Sequence, residues 1–157
     1  MKFIIATAAL LVATVANAQT VFTDCAPPGA DLTINAFTLS PDPLCIGKDV
    51  CATGTGLLNT EVVDGASLAI TGKYLGRVVY TDNHDLCELM GDQGHPCPIP
   101  TTLTSITACV LVKTTAPASI PVSLTVLAMN GNGNTLFCQS ATVTATNNAL
   151  NPTACPP

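Results

Sequence analysis

The sequence predicts an all-β protein, an antiparallel β-sandwich of two sheets reinforced by disulfide bonds. First, the segments beyond residue 30 are rich in Thr, Val, Ile and Leu and show no helical periodicity. Second, Gly- and Pro-rich breaks separate these segments at regular intervals. Third, eight cysteines are distributed along a chain of 157 residues. A chain of this length normally forms one domain, since domains usually have about 100–200 residues.

The first 18 residues are predicted to be a signal peptide. Lys2 precedes an apolar stretch at 3–15, and the Ala-Asn-Ala motif that ends at Ala18 has the small-x-small pattern that signal peptidase cleaves. The apolar stretch is too short to span a membrane. We therefore expect cleavage after Ala18 and a single domain at 19–157. We also expect entry into the secretory pathway, with a secreted or vacuolar/lysosomal destination.

Six segments are predicted to form strands, at about 31–39, 49–58, 67–80, 102–113, 120–129 and 135–146. In an extended strand at 67–80, Lys73 and Arg77 fall on one face, so the opposite face is predicted to point inward. The same alternation in the later strands completes the set of candidate interior residues, which are Leu68, Ile70, Tyr74, Val78, Val110, Val112, Leu124 and Val126.

The predicted interior is poor in large side chains. The chain has no Trp, two Tyr and four Phe, and Gly72 and Gly76 interrupt the inward face of one strand. Because protein interiors are close-packed, such an interior either closes tightly or leaves a cavity between the sheets. The residues alone leave both outcomes open.

All eight cysteines lie beyond residue 18, in the part predicted to reach an oxidising compartment. An even number of cysteines in a secreted protein indicates a set of disulfide bonds, here four. Eight cysteines allow many pairings, so their number alone does not fix the partners.

Charge and motif content exclude several classes of function. A net charge of −5 and a pI near 4.5 argue against a protein that binds nucleic acid through phosphates. No Gly-x-Ser-x-Gly motif or carboxylate pair marks a catalytic site, so we predict no enzyme activity and no cofactor. His84 and His95 lie close in sequence to Cys87 and Cys97, as in a zinc site. Disulfide-bonded cysteines explain this pattern better, and we predict no metal.

Short motifs around the cysteines resemble those of one known family. The motifs are Asp24-Cys25, Asp85-Leu86-Cys87-Glu88, Cys97-Pro98-Ile99 and Phe137-Cys138-Gln139. In this order, over about 22–146, they resemble the ML lipid-recognition domain family. That family includes the Niemann-Pick type C cholesterol carrier and the fungal phosphatidylglycerol/phosphatidylinositol transfer proteins.

The resemblance implies an immunoglobulin-like sandwich with an apolar cavity between its sheets. Such a cavity would hold a lipid ligand, a phospholipid or a sterol, and the protein would carry it between membranes. We accordingly expect transient membrane contact and a monomeric protein. Ile99 and Leu103 are predicted to lie at the portal of the cavity, near the Cys87–Cys97 loop.

The resemblance also implies three disulfide bonds, Cys25–Cys138, Cys45–Cys51 and Cys87–Cys97. Cys109 and Cys155 then remain. Strand alternation places Cys109 on an outward face, where a C-terminal tail that returns across the strand would bring Cys155 close. We therefore predict Cys109–Cys155 as the fourth bond.

Two kinds of function without a lipid stay open. One is a structural or surface-active cysteine-rich secreted protein, which the absence of adjacent cysteine pairs disfavours. The other is a β-sandwich that recognises proteins, which the low aromatic content disfavours because protein interfaces depend on aromatic anchors. Loss of Lys2 with the signal peptide would leave four basic and ten acidic residues, so strong attraction to an anionic membrane is not expected. The sequence does not choose between phospholipid and sterol.

Overall fold

The computed structural model describes residues 19–157, which form a sandwich of two mainly antiparallel sheets. The predicted signal peptide at 1–18 lies outside the described residues. The all-β sandwich predicted from the sequence is confirmed. In chain order, the elements are β1 (Thr23–Asp24), β2 (Leu32–Ser40), β3 (Leu44–Cys45), β4 (Asp49–Leu58), β5 (Ser67–Tyr74), β6 (Arg77–Asp85), α1 (Leu86–Asp92), β7 (Ser105–Leu111), β8 (Pro121–Met129) and β9 (Thr135–Thr146).

The two sheets differ in size. The large sheet has the order β1-β9-β8-β5-β6, with β3 parallel to the end of β9, and the small sheet has the order β2-β4-β7. Along β8, the even-numbered residues from Val122 to Ala128 are buried, while their neighbours are exposed or half-buried. This is the alternation with a period of two residues that a half-buried strand requires, and it places the core between the sheets. No helix among residues 19–157 is long and apolar enough to cross a membrane.

The predicted strand at 67–80 consists of two strands joined by a tight turn. Leu75 and Gly76 both have positive φ angles, of 49° and 78°, which are typical of a type I′ hairpin turn. Asn, Asp or Gly usually occupies the first of these positions, so the leucine gives no turn signal in the sequence.

A bulge beside this turn changes which residues point inward. Gly72 pairs with Tyr80, but the next residue, Lys73, pairs with Val78, so one residue of β6 is left over. Val78 therefore lies on the outer face with Lys73 and is 55% exposed. Its predicted inward position is wrong, because a single alternation cannot continue through a turn and a bulge.

The helix α1 was not predicted from the sequence. Asp85 caps it, since its side chain accepts a hydrogen bond from the Glu88 backbone N–H at 3.0 Å. Leu86 and Met90, one turn apart, are buried against the sandwich. A helix of seven residues is too short to show periodicity. The one sequence signal for the start of α1 is Glu88, an acidic residue three positions after the capping Asp85.

All eight cysteines are paired in four disulfide bonds. Two bonds, Cys25–Cys138 and Cys87–Cys97, join the pairs that the family resemblance implied. The predicted bonds Cys45–Cys51 and Cys109–Cys155 are wrong. The structure instead has Cys45–Cys155 and Cys51–Cys109.

Strand register explains the two corrected pairs. Cys51 on β4 and Cys109 on β7 are direct cross-strand partners, with Cα atoms 4.0 Å apart. Cys45 is on β3, beside the end of β9 in the large sheet, and thus in a different layer from Cys51. The tail that follows β9 folds back at this place, and Cys155 is buried there in its bond to Cys45.

Peptide mapping without reduction should therefore recover Cys45 joined to Cys155 and Cys51 joined to Cys109. The Cys109→Ser variant should expose one free thiol, at Cys51, because these two residues face each other across β4 and β7. The matched Cys45→Ser variant should expose its thiol at Cys155. A peptide that joins Cys45 to Cys51 would contradict the register.

Candidate functional site

Two neighbouring apolar cavities lie between the sheets. Their volumes are about 120 Å³ and about 100 Å³, well above the roughly 10–15 Å³ that one water molecule needs. The first lies toward α1 and is named the helix-end cavity. The second lies toward the β5–β6 turn and is named the hairpin-end cavity. The small interior side chains therefore do not close the sandwich, and the predicted apolar cavity is present.

The helix α1 and the loop after it wall the helix-end cavity. Leu86 and Met90 of α1 line it, as do Val62 and Ile99. The last two residues form a backbone bridge, in which the Ile99 N–H donates to the Val62 carbonyl at 2.9 Å and the Val62 N–H donates back at 3.1 Å. A disulfide bond ties this loop to α1. This wall is therefore fixed by covalent and backbone contacts.

A close approach of backbone and side chains shapes the hairpin-end cavity. A Cβ atom on Gly72 would lie 2.8 Å from Val122 Cγ1 and 3.1 Å from Tyr80 Cβ. Only glycine therefore lets Tyr80 lie beside β5 and line the cavity. Val110 and Val112 line the opposite side, from the small sheet and the residues just after it.

The two cavities adjoin at one set of side chains. The residues that line both cavities, named here the shared layer, are Phe37, Ala52, Leu68, Ala108 and Val126. Phe37 packs edge-on against Phe22, with ring centroids 4.8 Å apart, and its ring centroid lies 6.2 Å from that of Phe137. An elongated ligand that fills both cavities contacts these residues.

Most of the residues predicted to line a cavity do so. The eight that line one or both cavities are Leu68, Ile70, Ile99, Leu103, Val110, Val112, Leu124 and Val126. Tyr74 and Val78 do not: Tyr74 is the half-buried last residue of β5, beside the turn, and Val78 points outward. The prediction missed Phe37, Leu86 and Met90, because β2 was not assigned an inward face and α1 was not recognised.

A group of charged and polar side chains lies at the open edge of the sandwich, where β6 and β7 end their sheets. Asp82 is buried, and its Oδ1 lies 2.6 Å from Lys113 Nζ, while its Oδ2 lies 3.0 Å from His84 Nε2. The Lys113 backbone N–H donates to the Tyr80 hydroxyl at 3.5 Å, and Lys113 Nζ donates to the Thr81 carbonyl. Asp82, Lys113 and Tyr80 are named the edge cluster.

The ion pair decides the direction of the pKa shifts of Asp82 and Lys113. Burial raises the pKa of Asp82, but the hydrogen bonds and charges of Lys113 and His84 outweigh burial and hold it below its usual value. The hydrogen bond to Asp82 raises the pKa of the Lys113 ammonium. Asp82 is therefore a carboxylate and Lys113 a cation at neutral pH.

The edge cluster connects the two sheets, whereas the disulfide bonds do not. Cys25–Cys138 and Cys45–Cys155 lie in the large sheet and the tail, Cys51–Cys109 lies in the small sheet, and Cys87–Cys97 ties a loop to α1. The Asp82–Lys113 ion pair joins β6, in the large sheet, to the second residue after β7, which belongs to the small sheet. Within residues 19–157, the separation of the sheets at this edge thus depends on non-covalent contacts.

One further group of residues could suggest a metal site. Asp64 lies near the sulfur atoms of Cys87 and Cys97. Both sulfur atoms are in a disulfide bond and offer no thiolate, which is the form of cysteine that ligates metals. The structure therefore explains these cysteines as a structural bond.

Comparisons with known proteins agree with this architecture. A phosphatidylglycerol/phosphatidylinositol transfer protein of Aspergillus oryzae is 30% identical over 116 residues, which cover 73% of this chain and 65% of that relative. A crystal structure of a Niemann-Pick type C2 protein from Japanese carpenter ant matches the fold with a TM-score of 0.61 at 16% identity, covering 80% of this chain and 99% of that one. The family model for the ML domain matches residues 19–145. Because that match spans most of the chain, the protein belongs to the ML domain family.

Proposed function

We propose that this protein binds a lipid between its two sheets and carries it between membranes of the secretory pathway. The observation that carries the proposal is the pair of apolar cavities between the two sheets. An apolar ligand with several hundred Å² of buried surface gains about 10 kcal/mol on leaving water, before the costs of binding. The four disulfide bonds support an oxidising compartment.

The chemistry of the cavity walls favours binding without reaction. Tyr80 is the one titratable side chain among the residues that line either cavity in the described part of the chain. Burial raises the pKa of its hydroxyl, so this group is neutral at physiological pH. The walls therefore suit the apolar part of a lipid, and a polar headgroup would remain at the edge of the sandwich.

A phospholipid is the ligand that we favour over a sterol. The fungal relative is named for the transfer of phosphatidylglycerol and phosphatidylinositol. The two adjoining cavities extend from α1 toward the β5–β6 turn, and an extended apolar space of this kind suits flexible acyl chains.

Native mass spectrometry of the protein purified from its own source tests the proposal. We expect a bound mass that is recovered as phospholipid on extraction. Competition between fluorescent phosphatidylglycerol and a fluorescent sterol then ranks the two classes of ligand. A protein that holds no lipid when purified and binds neither probe would contradict lipid carriage and favour a role in structure or protein recognition.

The edge cluster should control how fast the ligand exchanges. Asp82→Asn removes the charge that holds Lys113 across the β6–β7 edge, so we expect transfer of fluorescent phosphatidylglycerol to become several-fold faster. Stopped-flow fluorescence measures this rate. Asp49→Asn, at an exposed carboxylate on β4, is the matched control and should exchange at the rate of the unmodified protein. An unchanged rate in Asp82→Asn would show that the sheets do not part at this edge.

A further inference from the structure

The turn that joins β8 to β9 contains two Asn-Gly pairs within five residues, Asn130-Gly131-Asn132-Gly133-Asn134. The Gly133 N–H donates to the Asn130 carbonyl at 3.0 Å, and the Asn130 N–H donates to the Asn134 carbonyl at 2.9 Å. Gly133 has a φ of 90°, as is usual where a three-residue hairpin loop ends on a left-handed glycine. The loop thus favours glycine at 133, directly after Asn132.

An asparagine followed by glycine can lose its side-chain amide without an enzyme. The backbone nitrogen of the glycine attacks the asparagine Cγ atom and a C–N bond forms. The side-chain nitrogen leaves as ammonia with the proton of the glycine N–H. Water then opens the succinimide ring at either carbonyl, which gives aspartate or isoaspartate. Glycine favours the attack because it has no Cβ atom to obstruct it. Both pairs share this chemistry, so their surroundings decide which one reacts.

The surroundings of the first pair, Asn130-Gly131, oppose the reaction. Asn130 is 2% exposed, and the nitrogen and oxygen of its side-chain amide each have two hydrogen-bond partners. The Gly131 N–H is itself one of these partners, since it donates to Asn130 Oδ1 at 2.8 Å. A Cβ atom on Gly131 would collide with the backbone of Val63 and Asp64, so the peptide bond has no room to rotate toward Cγ. This pair is therefore protected while the protein is folded.

The second pair, Asn132-Gly133, lies in open surroundings. Both residues are exposed, and a Cβ atom on Gly133 would have nothing but its own chain neighbours within 4 Å. Asn132 Oδ1 accepts from the Asn134 N–H at 2.8 Å, which turns the side chain toward the backbone that follows it. The attacking Gly133 nitrogen belongs to this stretch of backbone. Asn132 is thus accessible to water and directed toward its nucleophile.

The hydrogen-bond partner of the Asn132 amide opposes the product of the reaction. Asn132 Nδ2 donates to Asp31 Oδ2 at 3.0 Å, and Asp31 is only 4% exposed. Deamidation replaces this donor with a carboxylate oxygen, so two negative charges face each other where a hydrogen bond was. Within residues 19–157, the ion pairs all involve Asp82 and none involves Asp31. The new charge therefore repels Asp31 with no paired cation to offset it.

We propose that Asn132 is a site of spontaneous deamidation, through which the folded protein acquires a negative charge beside Asp31 and becomes less stable as it ages. Asn130 stays unmodified as long as the fold is intact, although it too precedes a glycine. The reaction needs only water, so the proposal is independent of the proposed function and of any bound lipid.

Peptide mapping of isoaspartate, after incubation of the folded protein at mildly alkaline pH, tests the assignment. We expect Asn132 to convert to aspartate and isoaspartate roughly tenfold faster than Asn130, or more, because Asn130 reacts only after the turn unfolds locally. In concentrated denaturant the two rates should become similar, since glycine follows both residues. Asn59 is the matched control: it is exposed as well, but the β-branched Thr60 follows it, so it should stay intact.

Two results of this mapping would overturn the proposal. One is an absence of isoaspartate at Asn132 after the folded protein has been incubated. The other is equal modification of Asn130 and Asn132 in the folded protein, which would show that the contacts of Asn130 give no protection.

The Asn132→Asp variant reproduces one product and measures its effect on stability. We expect its denaturation midpoint to be lower than that of Asn132→Ala, because the alanine only loses a hydrogen bond whereas the aspartate also repels Asp31. A double-mutant cycle with Asp31→Asn isolates the repulsion. Asn132→Asp should lower the midpoint less when position 31 is uncharged. Additive effects of the two substitutions, or equal midpoints for Asn132→Asp and Asn132→Ala, would contradict the repulsion.

Ageing of the unmodified protein gives the same information without a substitution at the start. We expect its denaturation midpoint to fall in proportion to the fraction modified at Asn132. Asn132→Gln, whose longer side chain does not readily form the five-membered ring, should keep its midpoint over the same period. An equal fall in both proteins would show that modification of Asn132 is not the cause.

Discussion

Ala108→Phe is expected to abolish lipid binding while the sandwich remains folded. Ala108 points inward from β7 and belongs to the shared layer, so its side chain borders both cavities. A phenyl ring there would meet Leu68 and Val126 from the large sheet and occupy space that a ligand needs. Because the ring enters empty volume, the cost in stability should lie at the low end of the roughly 1–3 kcal/mol typical of overpacked cores.

Titration with fluorescent phosphatidylglycerol measures the effect, and thermal unfolding monitors the fold. We expect at least a tenfold loss of affinity, about 1.4 kcal/mol or more. Thr107→Phe is the matched control: Thr107 is the preceding residue on β7, and its hydroxyl contacts Thr53 on the outer face at 2.9 Å. Val110→Phe should obstruct the hairpin-end cavity alone and cause a smaller loss. Normal binding by Ala108→Phe would show that the ligand does not lie between the sheets.

Asn130→Ala is expected to cause the largest loss of stability, about 3–4 kcal/mol, because it would leave several buried polar groups without partners. Asn130 is 2% exposed, and its Nδ2 donates to Asp31 Oδ2 at 2.8 Å and to the Glu61 carbonyl at 2.9 Å. Its Oδ1 accepts from the backbone N–H groups of Val63 and Gly131, at 3.0 and 2.8 Å. The side chain thus joins the β8–β9 turn to two other segments.

Denaturant titration of Asn130→Ala and Asn132→Ala measures this difference. Asn132 is exposed, and its amide donates to Asp31 at 3.0 Å. We therefore expect its replacement to cost about 1 kcal/mol, in line with a single hydrogen bond. Similar losses in the two variants would contradict the central role assigned to Asn130.

The same network predicts how stability depends on pH. Burial raises the pKa of Asp31, but hydrogen bonds from Asn130, Asn132 and Asn134 outweigh burial and lower it from 3.8. A depressed pKa means that the unfolded chain binds the proton more readily, so this stabilisation is present above pH 3.8 and is lost as pH falls through the lower folded value. Asp82 acts in the same direction. Melting temperatures from pH 7 to pH 2 should show this fall, and Asn130→Ala should shift its onset to higher pH.

The sequence alone determined the fold class, the family and most of the inward faces. The predicted strands at 49–58 and 135–146 coincide with β4 and β9. Both lie between breaks rich in Gly, Pro or Asn, and both are rich in Thr and apolar residues. These signals are local, so they predict the strands without knowledge of which strand each one pairs with. The motifs around Cys87, Cys97 and Cys138 similarly identified the family from short stretches of chain.

Tertiary structure alone decided the turn at Leu75 and Gly76 and the partners of four cysteines. A positive φ at Leu75 opposes its local preference, and the surrounding strand pairing imposes it. Cys51 meets Cys109 through the register of strands 58 residues apart in sequence. Local alternation indicates which way most side chains point, but long-range pairing decides which residues they contact.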